Sequence, residues 1–144
     1  MTAVAKPTVI DASVALAWIL PDENISPEVN ELYQRFAAGK INLIAPQLLF
    51  YEVLNGIRSA VIQHRLDQNL AVKAIQQFNQ LGIHLQVEQD GTDIVNLAVK
   101  LNLSVYDAAY IILTNKLKAT LYTSDQKLFK AIGSVANIKL LGKS

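Results

Sequence analysis

Hydrophobic residues recur in two alternating patterns along this chain. Short runs rich in β-branched residues predict buried strands at about residues 8–10, 41–45, 83–87, 119–122 and 138–141. Longer stretches with apolar positions three or four residues apart predict helices at about residues 14–20, 27–39, 46–64, 67–82, 90–102 and 105–117, and a short one up to about residue 133. This alternation indicates an α/β fold, in which a parallel sheet is covered by helices on both faces.

Residues that favour helix starts precede several of these helices. Ser13 is predicted to cap the first helix, and Ser26 followed by Pro27 to start the second. Pro46 is predicted to open the long helix, and Ser104 to cap the helix that begins near residue 105. The predicted helix bounds are therefore supported by capping residues as well as by the spacing of apolar positions.

The composition is typical of a compact globular protein. The chain has 144 residues, of which 51% are apolar and 17% charged, and we expect a single domain over residues 1–144. Zero cysteines exclude disulfides, thiol catalysis and cysteine-type zinc sites, and suit a reducing, cytoplasmic setting. The apolar run at residues 12–20 is too short to span a bilayer, so we expect no membrane segment.

Charge is distributed unevenly along the chain. The formal net charge is +1, but from Lys100 onward seven lysines and two aspartates give 7 − 2 = +5. The first 99 residues hold six Lys or Arg and ten Asp or Glu, which gives 6 − 10 = −4. A basic C-terminal third could bind phosphates, for example through Lys116, Lys118, Lys127 and Lys130. A solvated lysine surface explains the same pattern equally well.

Four carboxylates lie where a ligand site of an α/β sheet is expected. Asp11 and Asp125 follow predicted strands, whose carboxyl ends border the ligand-binding crevice of open sheets. Glu52 lies near the start of a helix that follows another strand, and Asp107 lies in the first turns of a buried helix. We therefore expect the four acids to converge.

Each acid also has a simpler interpretation. Asp11 could be a turn residue, and Asp125 could cap its helix. Asp107 could complete a capping box with Ser104. Glu52 could be a partly exposed helix acid that pairs with Arg58 or a neighbouring cation. Taken together, these interpretations require four separate coincidences, three of them in apolar surroundings.

A divalent cation would make the proximity of four carboxylates tolerable. Carboxylates that are brought together repel one another and their pKa values rise unless a cation is present. Mg²⁺ or Mn²⁺ prefers carboxylate oxygen and water, and can activate water and neutralise charge on a phosphoryl oxygen. A hydrolytic metal site formed by Asp11, Glu52, Asp107 and Asp125, with support from the hydroxyls of Ser13 and Thr123, is a plausible prediction.

Two sets of apolar or aromatic residues remain open to interpretation. Tyr106 and Tyr110 could stack on nucleic acid bases, but core packing is the favoured expectation for both. The side chains that could form an apolar dimer patch are Leu16, Trp18, Ile19 and Ile25.

At these residues the chain resembles the PIN-domain family, and most closely the VapC-type toxins of bacterial toxin–antitoxin pairs. The matching pieces are residues 9–13 running into residues 17–23, residues 51–53 with Asn55 and Arg58, residues 106–110, and residues 123–125 with Leu128. They occur in the family order across nearly the whole chain. Any one piece is weak, but the ordered set is specific.

The resemblance implies a fold, an activity and partners. The fold would be a three-layer α/β/α sandwich with a central parallel sheet of four to five strands. The activity would be Mg²⁺- or Mn²⁺-dependent cleavage of RNA by a homodimer that a small antitoxin protein blocks. Carried over by position, the metal-binding acids would be Asp11, Glu52, Asp107 and Asp125, with Ser13 and Thr123 in support. Two alternatives are a DNA-directed nuclease and a non-catalytic interaction module on the same fold.

Overall fold

The computed structural model describes residues 4–142, and over that part the chain forms five strands and seven helices. The strands are β1 (Lys6–Ile10), β2 (Ile41–Pro46), β3 (His84–Gln86), β4 (Thr120–Thr123) and β5 (Ile138–Leu140). The helices are α1 (Ala12–Ile19), α2 (Pro27–Ala37), α3 (Leu48–Ile62), α4 (Gln68–Gln80), α5 (Thr92–Leu101), α6 (Val105–Leu117) and α7 (Gln126–Ile132). The predicted order of elements is confirmed. Positions 1–3 and 143–144 of the predicted single domain lie outside the described residues.

All five strands are parallel and lie in the order β3-β2-β1-β4-β5. The chain moves outward from β1 to β3 on one side, then crosses to the other side of β1 to add β4 and β5. Strand order therefore reverses between β1 and β4, and a crevice for ligands is expected at their carboxyl ends. Asp11 directly follows β1, and Ser124 directly follows β4.

The sheet separates two apolar cores. Because side chains alternate along a strand, Ile10 packs with residues of α1 to α4 on one face, while Val9 packs with α6 and α7 residues on the other. In β4, Tyr122 packs against the first core and Leu121 is fully buried in the second. The structure is thus a three-layer α/β/α sandwich, as predicted.

The predicted caps of α2 and α6 are confirmed. The Ser26 side chain accepts a hydrogen bond from the Val29 N–H, and the Ser104 side chain accepts one from the Asp107 N–H. Two predictions were wrong. The cap of α1 is Asp11, not Ser13, because the Ser13 hydroxyl donates to Asp11 instead. Pro46 does not open a helix but ends β2, where it is paired with β3, and α3 begins at Leu48.

Helices α1 and α3 approach closely at Gly56. A Cβ atom added to Gly56 would overlap the side-chain carbons of Leu16 on α1. This contact packs α1 directly against α3.

Between residues 4 and 142, no single helix is long and apolar enough to cross a membrane. Helices α5 and α6 reach that length and composition only when taken together, and they are bent by 114° at the break between them.

Candidate active site at the carboxyl edge of the sheet

Asp11 lies at the junction of β1 and α1, with only 6% of its surface exposed. Its Oδ1 accepts hydrogen bonds from the backbone N–H groups of Ser13 and Val14 at 3.0 and 3.4 Å, and from the Ser13 hydroxyl. Its Oδ2 accepts from the Thr123 hydroxyl. Burial raises the pKa of Asp11, while the bonds from Ser13, Thr123 and Val14 offset part of that rise.

The two hydroxyls that bind Asp11 are held in turn by the segment after β4. Ser13 Oγ accepts a hydrogen bond from the Ser124 N–H at 2.9 Å, and Thr123 Oγ1 accepts one from the Asp125 N–H at 2.9 Å. Thr123 has no exposed surface. A continuous hydrogen-bond network therefore joins the ends of β1 and β4, across the point where strand order reverses.

Glu52 lies in the second turn of α3 and is held from the opposite helix. The Tyr110 hydroxyl on α6 donates to Glu52 Oε1 at 2.6 Å. Glu52 is exposed when its whole surface is considered, but its carboxyl group is partly desolvated. This desolvation raises the pKa of Glu52, and the hydrogen bond from Tyr110 offsets part of the rise. No ion pair joins Glu52 to Arg58 in the described chain, so the predicted alternative partner is wrong.

Asp107 and Asp125 each lie at the start of a helix. Asp107 is half-buried in the first turn of α6, where burial raises its pKa and a hydrogen bond with the Ser104 side chain lowers it. Asp125 is exposed and caps α7, where its Oδ1 accepts from the N–H groups of Lys127 and Leu128 at 2.9 and 3.3 Å. The expected cap by Asp125 is therefore confirmed, whereas at Asp107 the structure shows only the bond from its N–H to the Ser104 cap, which is half of the expected capping box.

The four acids repel one another through space. The charge of Asp125 raises the pKa of both Asp11 and Asp107. The charges of Asp11 and Asp107 in turn raise the pKa of Glu52. The structure thus brings all four predicted acids to one edge of the sheet and within electrostatic range. Their roles as metal ligands and catalytic groups stay predictions.

No ready-made cage for a metal ion is present among residues 4–142. In that part of the chain, no three His, Asp or Glu side chains are arranged so that they could hold one ion between them. Any ion at this site would therefore be bound by one or two carboxylates and complete its coordination with water or substrate oxygen, which is the usual manner of Mg²⁺.

The two tyrosines of the 106–110 stretch have different surroundings. Tyr110 is 2% exposed, as expected, but its hydroxyl has a polar partner that sequence reasoning missed. The sequence held an indication of this partner. Tyr110 lies three positions after Asp107, so its side chain is on nearly the same face of the helix and close to the predicted acids. Tyr106 is 66% exposed, so the expectation that it packs in the core was wrong.

The fold and the acidic crevice together define a class of protein. It is a three-layer α/β/α protein with four electrostatically coupled acids near the switch point of a parallel sheet, an arrangement suited to a ligand with phosphate groups and a cation. Residues 8–134 match the model of the PIN domain. The chain therefore belongs to the PIN-domain family, and the resemblance seen in its sequence is confirmed.

Comparison with known proteins gives relatives of similar length. Ribonuclease VapC9 of Mycobacterium tuberculosis is 30% identical over 125 residues, which cover 83% of this chain and 87% of the relative. Ribonuclease VapC3 of Pyrobaculum aerophilum is 30% identical over 124 residues, which cover 83% of this chain and 90% of the relative. The crystal structure of PAE2754 from Pyrobaculum aerophilum superposes with a TM-score of 0.66 at 18% identity, covering 89% of this chain and 80% of that one, and it supports the fold.

Proposed function

We propose that this protein is a metal-dependent endoribonuclease that hydrolyses RNA phosphodiester bonds, and that it is the toxin of a VapBC-type toxin–antitoxin pair. The observation that carries the proposal is the crevice itself, where four carboxylates lie within electrostatic range and the pKa values of Asp11, Glu52 and Asp107 are raised, first by burial and then by neighbouring acids. Membership of the PIN-domain family and similarity to proteins named VapC ribonucleases support it.

The donor set fits a hard divalent cation, Mg²⁺ or Mn²⁺. All four side chains offer carboxylate oxygen, which these ions prefer over softer metals. A bound ion would supply electrostatic stabilisation of charge on the phosphate and a lowered pKa for nearby water. It would also offset the repulsion among the acids. Within the described residues, none of the four acids forms an ion pair with a cationic side chain.

The two more rigid acids are suited to holding the ion. Asp11 is oriented by the Ser13 and Thr123 hydroxyls, and Glu52 by Tyr110. Fixed carboxylates lose little freedom on binding, which is the purpose of such supporting bonds. Thr123 and Ser13 are thus assigned as positioning residues.

The other two acids, Asp107 and Asp125, are suited to contact with the substrate and water. Asp107 is half-buried with a raised pKa, so its carboxylate can accept a proton from an attacking water more readily than an ordinary aspartate can. Asp125 borders a cleft of about 660 Å³ that Lys127 also lines. Lys127, with Lys130 on the same helix, would contact RNA phosphates beside the acids.

The remaining lysines differ in availability. Lys116 Nζ is paired with Glu88 Oε2 at 3.2 Å, so part of its charge is already neutralised.

Two exposed aromatic rings lie beside the acids. Tyr106 and Tyr51 are 66% and 67% exposed beside Asp107 and Glu52, and both present rings on which single-stranded bases can stack. Exposed rings beside the acids favour single-stranded or looped RNA over a rigid duplex.

Partners and location follow from the proposed class. We infer a homodimer, a cognate antitoxin protein that blocks the acidic crevice, and action in the cytoplasm. The absence of cysteine from the sequence is compatible with a reducing compartment.

The test uses the purified chain and a 5′-labelled single-stranded RNA. We expect cleavage with Mg²⁺ or Mn²⁺, none with EDTA, and none from the Asp125→Asn variant. A DNA strand of the same sequence should stay intact. Cleavage of DNA but not RNA would favour the DNA-directed alternative, and no cleavage of either with any divalent ion would favour the interaction module.

The toxin assignment has its own test. Induction of the chain in a bacterial host should arrest growth, and co-expression of the protein encoded beside it should relieve the arrest. Undisturbed growth at high expression of a soluble, folded product would contradict this part of the proposal.

A further inference from the structure

A cavity of about 340 Å³ adjoins the acidic crevice on the side of α1 and α2. Ser13 and Ser124 form its wall toward Asp11, and these are the residues whose mutual hydrogen bond supports that acid. A molecule in the cavity would therefore lie one side chain away from Asp11. The volume is that of a small-molecule site.

The cavity has an apolar part and a polar part. Leu16, Ala17 and Val29 contribute carbon surface, on which the flat face of an aromatic ring could lie. Glu23 and Ser26 contribute oxygen atoms. In such a site the apolar walls hold the flat face of a ring, and the few polar groups orient the ring by hydrogen bonds to its edge.

The charge of the cavity favours a nucleobase over a phosphate. Asp22 and Glu23 both line it, and the four acids of the crevice lie nearby, so an anion would be repelled. Asp22 is paired with Arg65 at 2.7 Å, which leaves Glu23 as the carboxylate without an ion pair among the described lining residues. The phosphates of a bound strand would instead follow the cleft of Lys127, on the other side of Ser124.

The polar groups match one base better than the others. Guanine alone presents two adjacent N–H donors, N1–H and the N2 amino group, to a single carboxylate, beside its O6 acceptor. Ser26 Oγ accepts a hydrogen bond from the Val29 N–H, so its own hydrogen is available to donate to such an acceptor. Adenine, cytosine and uracil each offer a carboxylate only one donor on that edge.

We propose that this cavity binds the guanine base of an RNA nucleotide next to the cleaved phosphate, with Glu23 accepting from N1–H and the N2 amino group. The inference rests on the proposed ribonuclease function and adds a base preference to it. Glu23 acts here as a specificity residue.

The first test measures cleavage specificity. A single-stranded RNA of random sequence is cleaved by the wild type, and the ends are sequenced. Guanine should be enriched at one fixed position beside the cut, and Glu23→Gln should reduce that enrichment about tenfold, as expected for the loss of a bidentate base contact. Glu31→Gln, the same change at an exposed position of α2, should leave the enrichment as it is. Wild-type ends without guanine enrichment would overturn the proposal.

The second test needs no cleavage. Calorimetric titration of the metal-free chain should show guanosine binding about tenfold tighter than inosine, which lacks the N2 amino group, and tighter than adenosine, cytidine or uridine. Equal binding of guanosine and inosine would overturn the assignment, as would binding of N-acetylarginine amide in preference to guanosine, which would indicate a pocket for a protein side chain. Selective guanosine binding by a chain that cuts no RNA when Mg²⁺ is supplied would refute the ribonuclease function while supporting the guanine site.

Discussion

The Tyr110 hydroxyl donates a 2.6 Å hydrogen bond to Glu52 Oε1, and this bond ties α6 to α3 directly over the acidic crevice. Burial of Tyr110, followed by the charge of Glu52, raises the pKa of its phenol, so the hydroxyl keeps its proton at any physiological pH. Tyr110 is therefore a permanent donor, which lowers the pKa of Glu52 against the effect of desolvation.

Replacing Tyr110 with Phe should impair activity more than stability. The pKa of Glu52 should rise, which moves the acidic limb of the pH–rate profile to higher pH and lowers the cleavage rate about tenfold near pH 6. The free energy of unfolding should fall by only about 0.5–1.5 kcal/mol. Tyr33→Phe, at an exposed ring on α2, is the matched control. An unchanged pH–rate profile would show that the bond does not tune Glu52.

Replacing Asp107 with Asn should abolish RNA cleavage while the fold is retained. The amide neither accepts a proton from water nor offers the charge that a cation requires, so a loss of about 10³-fold or more is expected. Gel assays of labelled RNA in Mg²⁺ measure the rate, and circular dichroism checks the fold. Asp93→Asn, in the first turn of α5, should cut RNA normally. Wild-type cleavage by the Asp107 variant would remove this residue from the proposed site.

Replacing Thr123 with Val should destabilise the protein and weaken the site together. The change removes the donor to Asp11 Oδ2 and the acceptor of the Asp125 N–H, and Thr123 itself has no exposed surface. An unpaired buried polar group costs about 1–3 kcal/mol, which chemical denaturation can measure. Thr120→Val in the same strand removes a hydrogen bond with Asn137 at the surface and should cost less. Equal losses in the two variants would contradict the supporting role of Thr123.

The metal-free protein should lose stability as the pH rises through the range where its acids ionise. The pKa values of Asp11, Glu52 and Asp107 are raised above 3.8, 4.5 and 3.8, respectively. The folded state therefore binds more protons than the unfolded state, so this contribution is fully present below those values and is lost as the pH rises through the raised ones. Thermal melts between pH 4 and 8 in EDTA should reveal the decline.

The same reasoning predicts a stabilising substitution. At pH 7 the Asp107→Asn variant without metal should melt above the wild type, by about 1–3 °C because Asp107 is partly solvated. Added Mg²⁺ should raise the melting temperature of the wild type more than that of the variant. A variant that melts below the wild type at pH 7, with no response of either to Mg²⁺, would refute the electrostatic account of the crevice.

Replacing Tyr106 with Ala should weaken RNA binding without touching the acids. Loss of one stacked base is expected to cost about 1–3 kcal/mol of binding free energy. Tyr106→Phe keeps the ring and should bind like the wild type, whereas Val99→Ala removes another exposed apolar group on α5 and is the matched control. Fluorescence anisotropy with a labelled RNA and the Asp107→Asn background measures binding without cleavage. Equal affinity for the Ala and Phe variants would exclude stacking.

The sequence predicted the order of the elements because periodicity, capping and turn residues agree in most of the chain. Ser26 and Ser104 cap helices as expected, and Gly39 and Gly82 adopt the positive φ angles of 74° and 70° that follow helix ends. Local chemistry decides such features. The sequence also predicted that the acids lie at one edge of the sheet, because strand ends and the starts of the helices that follow them share one edge in parallel sheets.

The features that sequence reasoning missed depend on tertiary neighbours. Asp11 and Ser13 are both good caps, and in the folded chain Asp11 caps α1 while Ser13 and Thr123, with Ser124 beside them, form hydrogen bonds that join it to the segment after β4. Tyr106 and Tyr110 lie one helical turn apart, and the depth of that turn against the sheet decides which ring is buried. The cavity beside Asp11 combines residues from α1, α2 and the segment after β4, so no local pattern announces it.

The close approach of Gly56 to Leu16 has a consequence for selectivity. Leu16 has one side against α3 and another against the proposed base site, so it transmits any thickening of α3 to the pocket wall. A methyl group at position 56 would displace Leu16, although no residue that lines the base site would itself be substituted. Base choice in such an enzyme could therefore drift through changes on the far side of a helix, while every group that performs the chemistry stays in place.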